Sequence, residues 1–192
     1  MTAAVALLDA NVLYSATLRD LLLQISFNGL FRARWSDQIE REWQRNLMQA
    51  RPELEPQIER TRLLMQLAIP DALVTHYQHL ISELTLPYPD DRHVLAAAIA
   101  ANADVIVTFN LKDFPASALQ LHGMVAQHPD VFFSALIGEA LEQILHATEE
   151  CVGRLRRPPI TAAQYIEALR RLELHHLAAF LIAHQSHWET RP

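Results

Sequence analysis

Cysteine, glycine and lysine are scarce in this 192-residue chain, and long apolar runs are absent from it. Its single cysteine, Cys151, excludes a disulfide framework and a cysteine-based zinc site, and it fits a reducing compartment. Its four glycines form neither a P-loop nor a dinucleotide-binding motif, which argues against a glycine-rich phosphate site. No apolar segment reaches the roughly 18 residues that a membrane span requires. We therefore predict a cytoplasmic protein with no membrane association.

The first residues do not resemble a secretory signal, because they lack a basic segment and Asp9 interrupts their apolar run. The chain is 51% hydrophobic and 20% charged, which supplies enough apolar material for a packed core. Its net charge is −6, from 16 basic and 22 acidic residues. Nucleic-acid-binding domains are usually basic. A polyanionic partner would therefore have to be held locally, by a few arginines or by bound cations.

Residues 1–128 alternate short apolar runs with helical periodicity, which is typical of an α/β domain. The predicted strands are the run that ends at Asp9 and residues 33–36, 72–75, 104–108 and 121–125. The predicted helices are the segment up to Asn28, residues 36–50, 55–68 and 76–85, and the segment that opens at Pro89–Asp90. From residue 129 onward no strand pattern is found, and helices are predicted over 130–152, from a Thr161–Gln164 capping box, and over 174–188. We therefore predict an α/β domain in 1–128 and a helical extension in 129–192.

Acidic and amide side chains fall at the ends of the predicted strands or at helix starts. Asp9 ends the first strand, Asp90 and Asp91 open a helix, and Asn110 and Asp113 follow the strand 104–108. The carboxyl ends of parallel strands share one edge of a sheet, where ligands bind. Carboxylates that converge there repel each other unless a cation or a shared proton is present. Oxygen ligands favour Mg²⁺ or Mn²⁺ over zinc or copper.

Each of these residues also has a structural interpretation. Asp9 is a good helix N-cap, and Asp90 fits as the cap of the next helix, which would leave Asp91 to face the site. Asn110 and Asp113 could be ordinary turn residues. In the helix 36–50, the residues from Asp37 to Glu40 have capping-box spacing, which gives Glu40 a structural role.

Glu42 lies beside the apolar stripe of the helix 36–50 and can reach a cleft, although most such glutamates are simply solvated. His93 follows Asp91, and we expect it at the surface rather than as a catalytic base. Cys151 is expected in the core. The histidines near the end of the chain include the pair His184 and His187, but no zinc-binding motif accompanies them.

Three segments together resemble the PIN-domain nucleases, and among them the VapC-type toxins of prokaryotic toxin–antitoxin pairs. These segments are LLDANVLYSA near the start, IEREW in the second long helix, and PDDRHVLAAAIAANADVIVTFNLKDFP. The resemblance covers about 1–128. It implies a PIN-like three-layer α/β/α fold with a central twisted parallel sheet, to which the helical extension is added.

The resemblance also implies the residues of the site. The four acids of the family fall on Asp9, on Glu42, on Asp91, and in the turn after the strand 104–108. The direct match in that turn is Asn110, and we predict that Asp113, three residues further on, is the acid. Supporting roles in the site fall on the residues Asn11, Thr108 and Asn110.

The implied activity is the hydrolysis of RNA phosphodiesters with Mg²⁺ or Mn²⁺ held by the four acids. Arg19, Arg92 and Lys112 are the candidates for contacting the RNA. The implied partner is a cognate antitoxin, a small protein with a disordered segment that folds over the cleft. The resemblance also leaves a homodimer open, because homodimers are common in the family, although the apolar residues of the helical extension are expected to cover the chain's own core.

Two other classes of function remain open from the sequence. A PIN-like module could bind RNA or protein without cutting, because a fold alone does not establish an activity. A haloacid-dehalogenase-type phosphatase also begins with a strand-end aspartate. That class requires a second aspartate where this chain has Asn11, and a lysine after a later strand, whereas Lys112 lies in a turn.

Overall fold

A computed structural model describes residues 3–155 and 159–188 of the chain. Its centre is a parallel five-stranded sheet with the order β3-β2-β1-β4-β5. The strands are β1 (Val5–Leu8), β2 (Arg32–Ser36), β3 (Leu73–Val74), β4 (Val105–Val107) and β5 (Val125–Gln127). Both central strands, β1 and β4, are almost completely buried, which explains their unbroken apolar sequences.

Ten α-helices are found in the described residues, and the first six connect the strands. They are α1 (Ala10–Tyr14), α2 (Ala16–Phe27), α3 (Asp37–Ala50), α4 (Glu55–Ala68), α5 (Arg92–Ala100) and α6 (Ala116–Leu119). Short 3₁₀ helices lie at Pro52–Leu54, Pro70–Ala72, Gln78–Glu83, Pro89–Asp91, Leu111–Asp113 and Gln120–His122. The last four helices are α7 (Pro129–Arg154), α8 (Ala162–Arg171), α9 (His175–Ala183) and α10 (Gln185–Trp188).

The helices form layers on the sheet, which gives the predicted three-layer α/β/α arrangement followed by helices. Helix α5 contacts the strands β1, β2 and β4, and α2 packs against β2 and against α7 of the extension. Helix α7 continues across a kink at Ala140, where φ is −148° and ψ is 50°. In the described part of the chain, no helix is long and apolar enough to cross a membrane.

Several local predictions are wrong. The strand predicted at 121–125 lies instead at Val125–Gln127, because Gly123 has φ +70° and forms a turn after the 3₁₀ helix. The helix predicted over 174–188 is two helices separated at His184. The segment 76–85 contains a 3₁₀ helix at Gln78–Glu83 rather than a full α-helix. Helix α3 is capped by Ser36, whose side chain accepts a hydrogen bond from the Ile39 N–H, so Asp37 does not form the predicted capping box.

Other predictions are confirmed. The capping box of Thr161 and Gln164 is present at the start of α8. Cys151 is buried in the core, where burial raises the pKa of its thiol.

Asp130 joins the first turn of α7 to the start of α9. Its carboxylate is buried and accepts hydrogen bonds from the backbone N–H groups of His176 and Leu177, at 2.9 and 3.0 Å. The His176 ring nitrogen Nδ1 lies 2.7 Å from the same carboxylate. Burial opposes ionisation, but these three contacts outweigh it and lower the pKa of Asp130 below its ordinary value of 3.8.

We expect Asp130→Ala to lower the free energy of unfolding by about 2 kcal/mol, because two backbone N–H groups lose a charged acceptor. The folded-state pKa is lowered, so the charge stabilises the protein fully above pH 3.8 and progressively less as the pH falls below it. Chemical denaturation at pH 7 and at pH 3 measures both effects. Glu139→Ala, on the same helix, is the control and should be near neutral. Equal unfolding curves for the two variants would contradict the role of Asp130.

Candidate functional site

The carboxyl edge of the sheet brings the ends of β1 and β4 side by side. In the parallel register Leu8 pairs with Val107, so the next residues, Asp9 and Thr108, are also neighbours. The backbone N–H of Asp9 donates to the Val107 carbonyl at 3.1 Å, which extends the pairing by one residue. The site therefore begins at the centre of the sheet, where the sequence predicted it.

A closed hydrogen-bond network holds the Asp9 carboxylate. Its Oδ2 accepts hydrogen bonds from the Thr108 hydroxyl and from the Asn11 amide, each at 2.7 Å, and its Oδ1 accepts one from the Ala10 N–H. The amide of Asn11 also donates to Thr108 Oγ1 at 2.9 Å, and its carbonyl oxygen accepts from the Phe109 N–H. The Asn110 N–H donates to Thr108 Oγ1. Asn11 and Thr108 therefore fix the position of Asp9.

The environment of Asp9 disfavours its charged form. Burial raises the pKa of Asp9 from 3.8 to about 6, and the negative charges of Glu42 and Asp91 act in the same direction. The hydrogen bonds from Thr108 and Ala10 lower the pKa but do not compensate for burial. Asp9 also accepts the Ala10 N–H as the cap of the short helix α1. The structural role predicted for Asp9 is therefore present, and its role in the site stays a prediction.

Asp91 and Asp113 are close enough to influence each other. Asp91 is partly buried at the end of the 3₁₀ helix Pro89–Asp91, and its N–H donates to the Tyr88 carbonyl. Burial raises the pKa of Asp91, and the charges of Asp113 and Glu42 add to that effect. Asp90 is exposed and does not cap α5, so the predicted cap at Asp90 is wrong.

Asp113 carries an unsatisfied buried atom. The residue is 5% exposed, and its Oδ1 is fully buried with no hydrogen-bond donor. Such an orphaned carboxylate oxygen is costly unless a cation or a donor reaches it. Asn110 is exposed instead, and it joins the network only through its backbone N–H. This geometry favours Asp113 over Asn110 as the fourth acid.

Helix α3 presents Glu42 toward the same place. The Glu42 side chain is 33% exposed, and its Oε2 lies 3.4 Å from Nε2 of His93. His93 is 5% exposed, so its predicted position at the surface is wrong: it is a buried residue in the wall of the cleft that contains Glu42 and Asp91. Glu40, the neighbouring acid, is buried and accepts hydrogen bonds from the Gln66 amide. Glu40 therefore has a structural role, although not the capping role predicted for it.

A cleft of about 1040 Å³ opens beside Glu42 and Asp91. Helix α3 forms one wall with Arg41 and Arg45, which are exposed, and the segment around Pro89 and Asp90 forms the opposite side. The sequence analysis did not select these two arginines. The two arginines are four residues apart, and Arg45 follows Glu42 by three residues, which is the signal that could have identified them, because residues at these spacings share a helix face.

The three predicted RNA contacts have different environments. Arg19 is buried, donates to the Leu13 carbonyl at 2.6 Å, and places its guanidinium 4.8 Å from the centre of the Trp43 ring. It supports α3 from inside the protein, and we therefore leave it out of the RNA-binding set. Arg92 is partly buried, with an unpaired Nε. Lys112 is exposed next to Asp113.

The donor set fits a hard divalent cation in chemical type. Within residues 3–155 and 159–188, no three His, Cys, Asp or Glu side chains are gathered into a ready-made metal site. Glu42 and Asp91 both raise the pKa of Asp9, and Asp113 raises that of Asp91, so the four acids share one electrostatic environment. Together with the orphaned Asp113 Oδ1, these negative charges form an environment that a hard divalent cation would neutralise.

Comparison with known proteins identifies the family to which this fold belongs. The family model described as "PIN domain" matches residues 5–112, and the chain belongs to this family. A second family model, described as "VapC50 C-terminal domain", matches residues 129–182. Because the chain belongs to the PIN-domain family, the alternative hypothesis of a haloacid-dehalogenase-type phosphatase is wrong.

A curated relative extends the comparison. The protein named "Putative ribonuclease VapC50" from Mycobacterium tuberculosis (strain ATCC 25618 / H37Rv) is 39% identical over 93 residues, which are 48% of this chain and 54% of the relative. The chain thus spans about half the length of the curated relative that it matches. No solved structure matches the chain.

The raised pKa of Asp9 predicts an unusual effect of pH on stability in the absence of metal. As the pH rises from 3.8 to about 6, the unfolded state loses a proton that the folded state retains, so the folded protein loses stability. Asp9→Asn removes this cost. Between pH 4 and pH 8, its stability should improve relative to wild type by up to about 3 kcal/mol.

Urea denaturation in EDTA across this pH range measures the effect. Asp90→Asn, the exposed neighbouring acid, is the control and should follow wild type throughout. If Asp9→Asn also follows wild type, the carboxylate of Asp9 is not held in the environment described above.

Proposed function

We propose that the protein is a divalent-metal-dependent endoribonuclease, and the toxin of a toxin–antitoxin pair. The observation that carries the proposal is the set of four acids at the carboxyl edge of the sheet: Asp9, Glu42, Asp91 and Asp113. All four are buried or partly buried, and Glu42 and Asp91 line an open cleft. The charges of Glu42 and Asp91 raise the pKa of Asp9, and those of Asp113 and Glu42 raise the pKa of Asp91. Membership of the PIN family and the relative named as a ribonuclease support the same proposal.

In this proposal the four acids hold Mg²⁺ or Mn²⁺, which would supply an activated water and stabilise the charge that develops on the phosphate. Asn11 and Thr108 orient the Asp9 carboxylate through the hydrogen bonds described above. The His93 ring contacts the Glu42 carboxylate through Nε2 and so limits the positions that this carboxylate can adopt. No protein side chain needs to act as a nucleophile.

Basic side chains around the acids would position the RNA. Arg45 lines the cleft with Glu42 and Asp91, and Lys112 lies next to Asp113. Arg92 is adjacent to Asp91 in the chain. We include these three residues in the proposed phosphate-binding set, because a chain with a net charge of −6 needs local positive charge to hold a polyanion.

The antitoxin is proposed on the same electrostatic basis. An unneutralised group of acids at an open cleft would accept a cationic side chain from a partner as readily as a metal ion. A small antitoxin with a disordered segment that folds over the cleft would supply it. A cytoplasmic location and a homodimer complete the proposal.

RNA cleavage by the purified chain tests the nuclease directly. We expect cleavage with Mg²⁺ or Mn²⁺, none with EDTA, and a loss of at least about a hundredfold in Asp9→Asn and in Asp91→Asn, since each removes a charge from the proposed metal site. Asp90→Asn is the matched control, because it removes an adjacent but exposed acid, and it should retain activity.

Equal cleavage by all preparations would indicate a contaminating nuclease. If the wild-type chain neither cleaves RNA nor binds Mn²⁺ by calorimetry, the proposal is wrong and a non-catalytic binding module takes its place.

The fourth acid can be identified by metal binding alone. Asp113→Asn should weaken Mn²⁺ binding at least about tenfold, because it removes the charge beside Asp91. Asn110→Ala should change the affinity less than about twofold, since the Asn110 contact runs through its backbone. Calorimetry with Mn²⁺ compares the two variants. A larger loss in Asn110→Ala would reverse the assignment.

A further inference from the structure

An exposed aromatic residue, Tyr88, lies three residues before Asp91 in the chain. The Tyr88 side chain is 51% exposed, although it immediately precedes the 3₁₀ helix that ends at Asp91. The Tyr88 carbonyl accepts a hydrogen bond from the Asp91 N–H at 3.2 Å. This hydrogen bond holds the backbone of Tyr88 next to the backbone of Asp91, which is one of the four acids.

A lysine accompanies this ring. Nζ of Lys112 lies 5.6 Å from the centre of the Tyr88 ring, within the range of a cation–π contact. Lys112 is the neighbour of Asp113 in the 3₁₀ helix Leu111–Asp113. The contact therefore joins the segment that carries Asp91 to the segment that carries Asp113, and it places an aromatic face and a positive charge together.

This combination is what proteins use to bind single-stranded nucleic acid. Unpaired bases stack on exposed aromatic rings while basic side chains contact the adjacent phosphates. Bases in a duplex are stacked on each other and are not accessible to such a ring. Phe27 is also exposed, at 67%, but it lines a different groove that contains none of the four acids.

We propose that Tyr88 stacks on a base of single-stranded RNA next to the phosphate at the acids, and that Lys112 contacts a neighbouring phosphate. The two residues would then form a base-stacking contact and a phosphate contact that none of the four acids provides. This inference rests on the proposed function for its link to cleavage, but the binding of RNA can be measured separately.

The experiment measures RNA binding by the full chain in a background of Asp9→Asn, which prevents cleavage in the presence of Mg²⁺. The probes are a fluorescein-labelled 12-nucleotide RNA without secondary structure, the same length with abasic sites, and a blunt duplex of that sequence. The variants are Tyr88→Leu, Tyr88→Trp and Lys112→Gln. Phe27→Leu is the matched control, because it removes an exposed aromatic ring elsewhere on the surface.

We expect Tyr88→Leu to weaken binding of the single strand at least about fivefold, with no change in its salt dependence, and Tyr88→Trp to bind at least as tightly as the parent. Lys112→Gln should instead reduce the slope of log affinity against log salt by about 0.7. Phe27→Leu should bind like the parent. The abasic RNA and the duplex should not distinguish Tyr88→Leu from the parent.

The inference is overturned if Tyr88→Leu binds the single strand like the parent, if it weakens duplex binding equally, or if the parent binds no RNA. Its failure can be separated from that of the nuclease. If the wild-type chain cleaves RNA and Tyr88→Leu cleaves it equally well, the nuclease proposal stands and the stacking site is refuted. Binding that depends on Tyr88 in a chain that does not cleave supports the stacking site and refutes the nuclease.

Discussion

The parallel pairing of β1 with β4 is the constraint on which the rest of the site depends. It places Asp9 beside Thr108 at the centre of the sheet, where both strands are buried and a carboxylate loses most of its hydration. The donors from Asn11, Thr108 and Ala10 replace part of that hydration, and the raised pKa of Asp9 is the remaining cost. A carboxylate held in this way is fixed in position and poorly neutralised, which is the condition that favours a bound cation.

Buried polar residues hold the surrounding elements in place. Arg19 satisfies two carbonyls at the end of α1 and packs on Trp43, and α3 carries Glu42 next to that tryptophan. His93, on α5, approaches Glu42 from the opposite element. Further away, Asp130 connects two helices of the extension: it lies in the first turn of α7 and accepts hydrogen bonds from two N–H groups at the start of α9. In the sequence, Arg19 was a candidate for contacting RNA and His93 was expected at the surface, whereas in the structure each contacts a residue of α3.

Whether a feature could be predicted correctly depended on whether the residues that determine it lie close together in the chain. The buried strands β1 and β4 were predictable, because each is a short, unbroken apolar run followed by a polar residue, and β4 consists entirely of β-branched residues. The strand near residue 125 was misplaced because Gly123 makes a turn inside an apolar run. Asp90 and Asp37 were predicted to cap helices from their positions in the sequence alone. Asp90 instead lies within a 3₁₀ helix, and Ser36 rather than Asp37 caps α3. The burial of Arg19 and His93 depends on contacts with α3, and helix periodicity contains no information about them.

The sequence by itself determined the α/β class, because hydrophobic periodicity and residue type within short segments indicate it, and the family resemblance supplied the candidate acids. Only the tertiary structure decided which acids share one electrostatic environment. Glu42 comes from a different layer than Asp9, and Asp113 reaches the site while Asn110 faces solvent. The contact between Tyr88 and Lys112 is likewise a tertiary result. Such pairings join residues that are far apart in the chain, so they depend on how helices pack on the sheet.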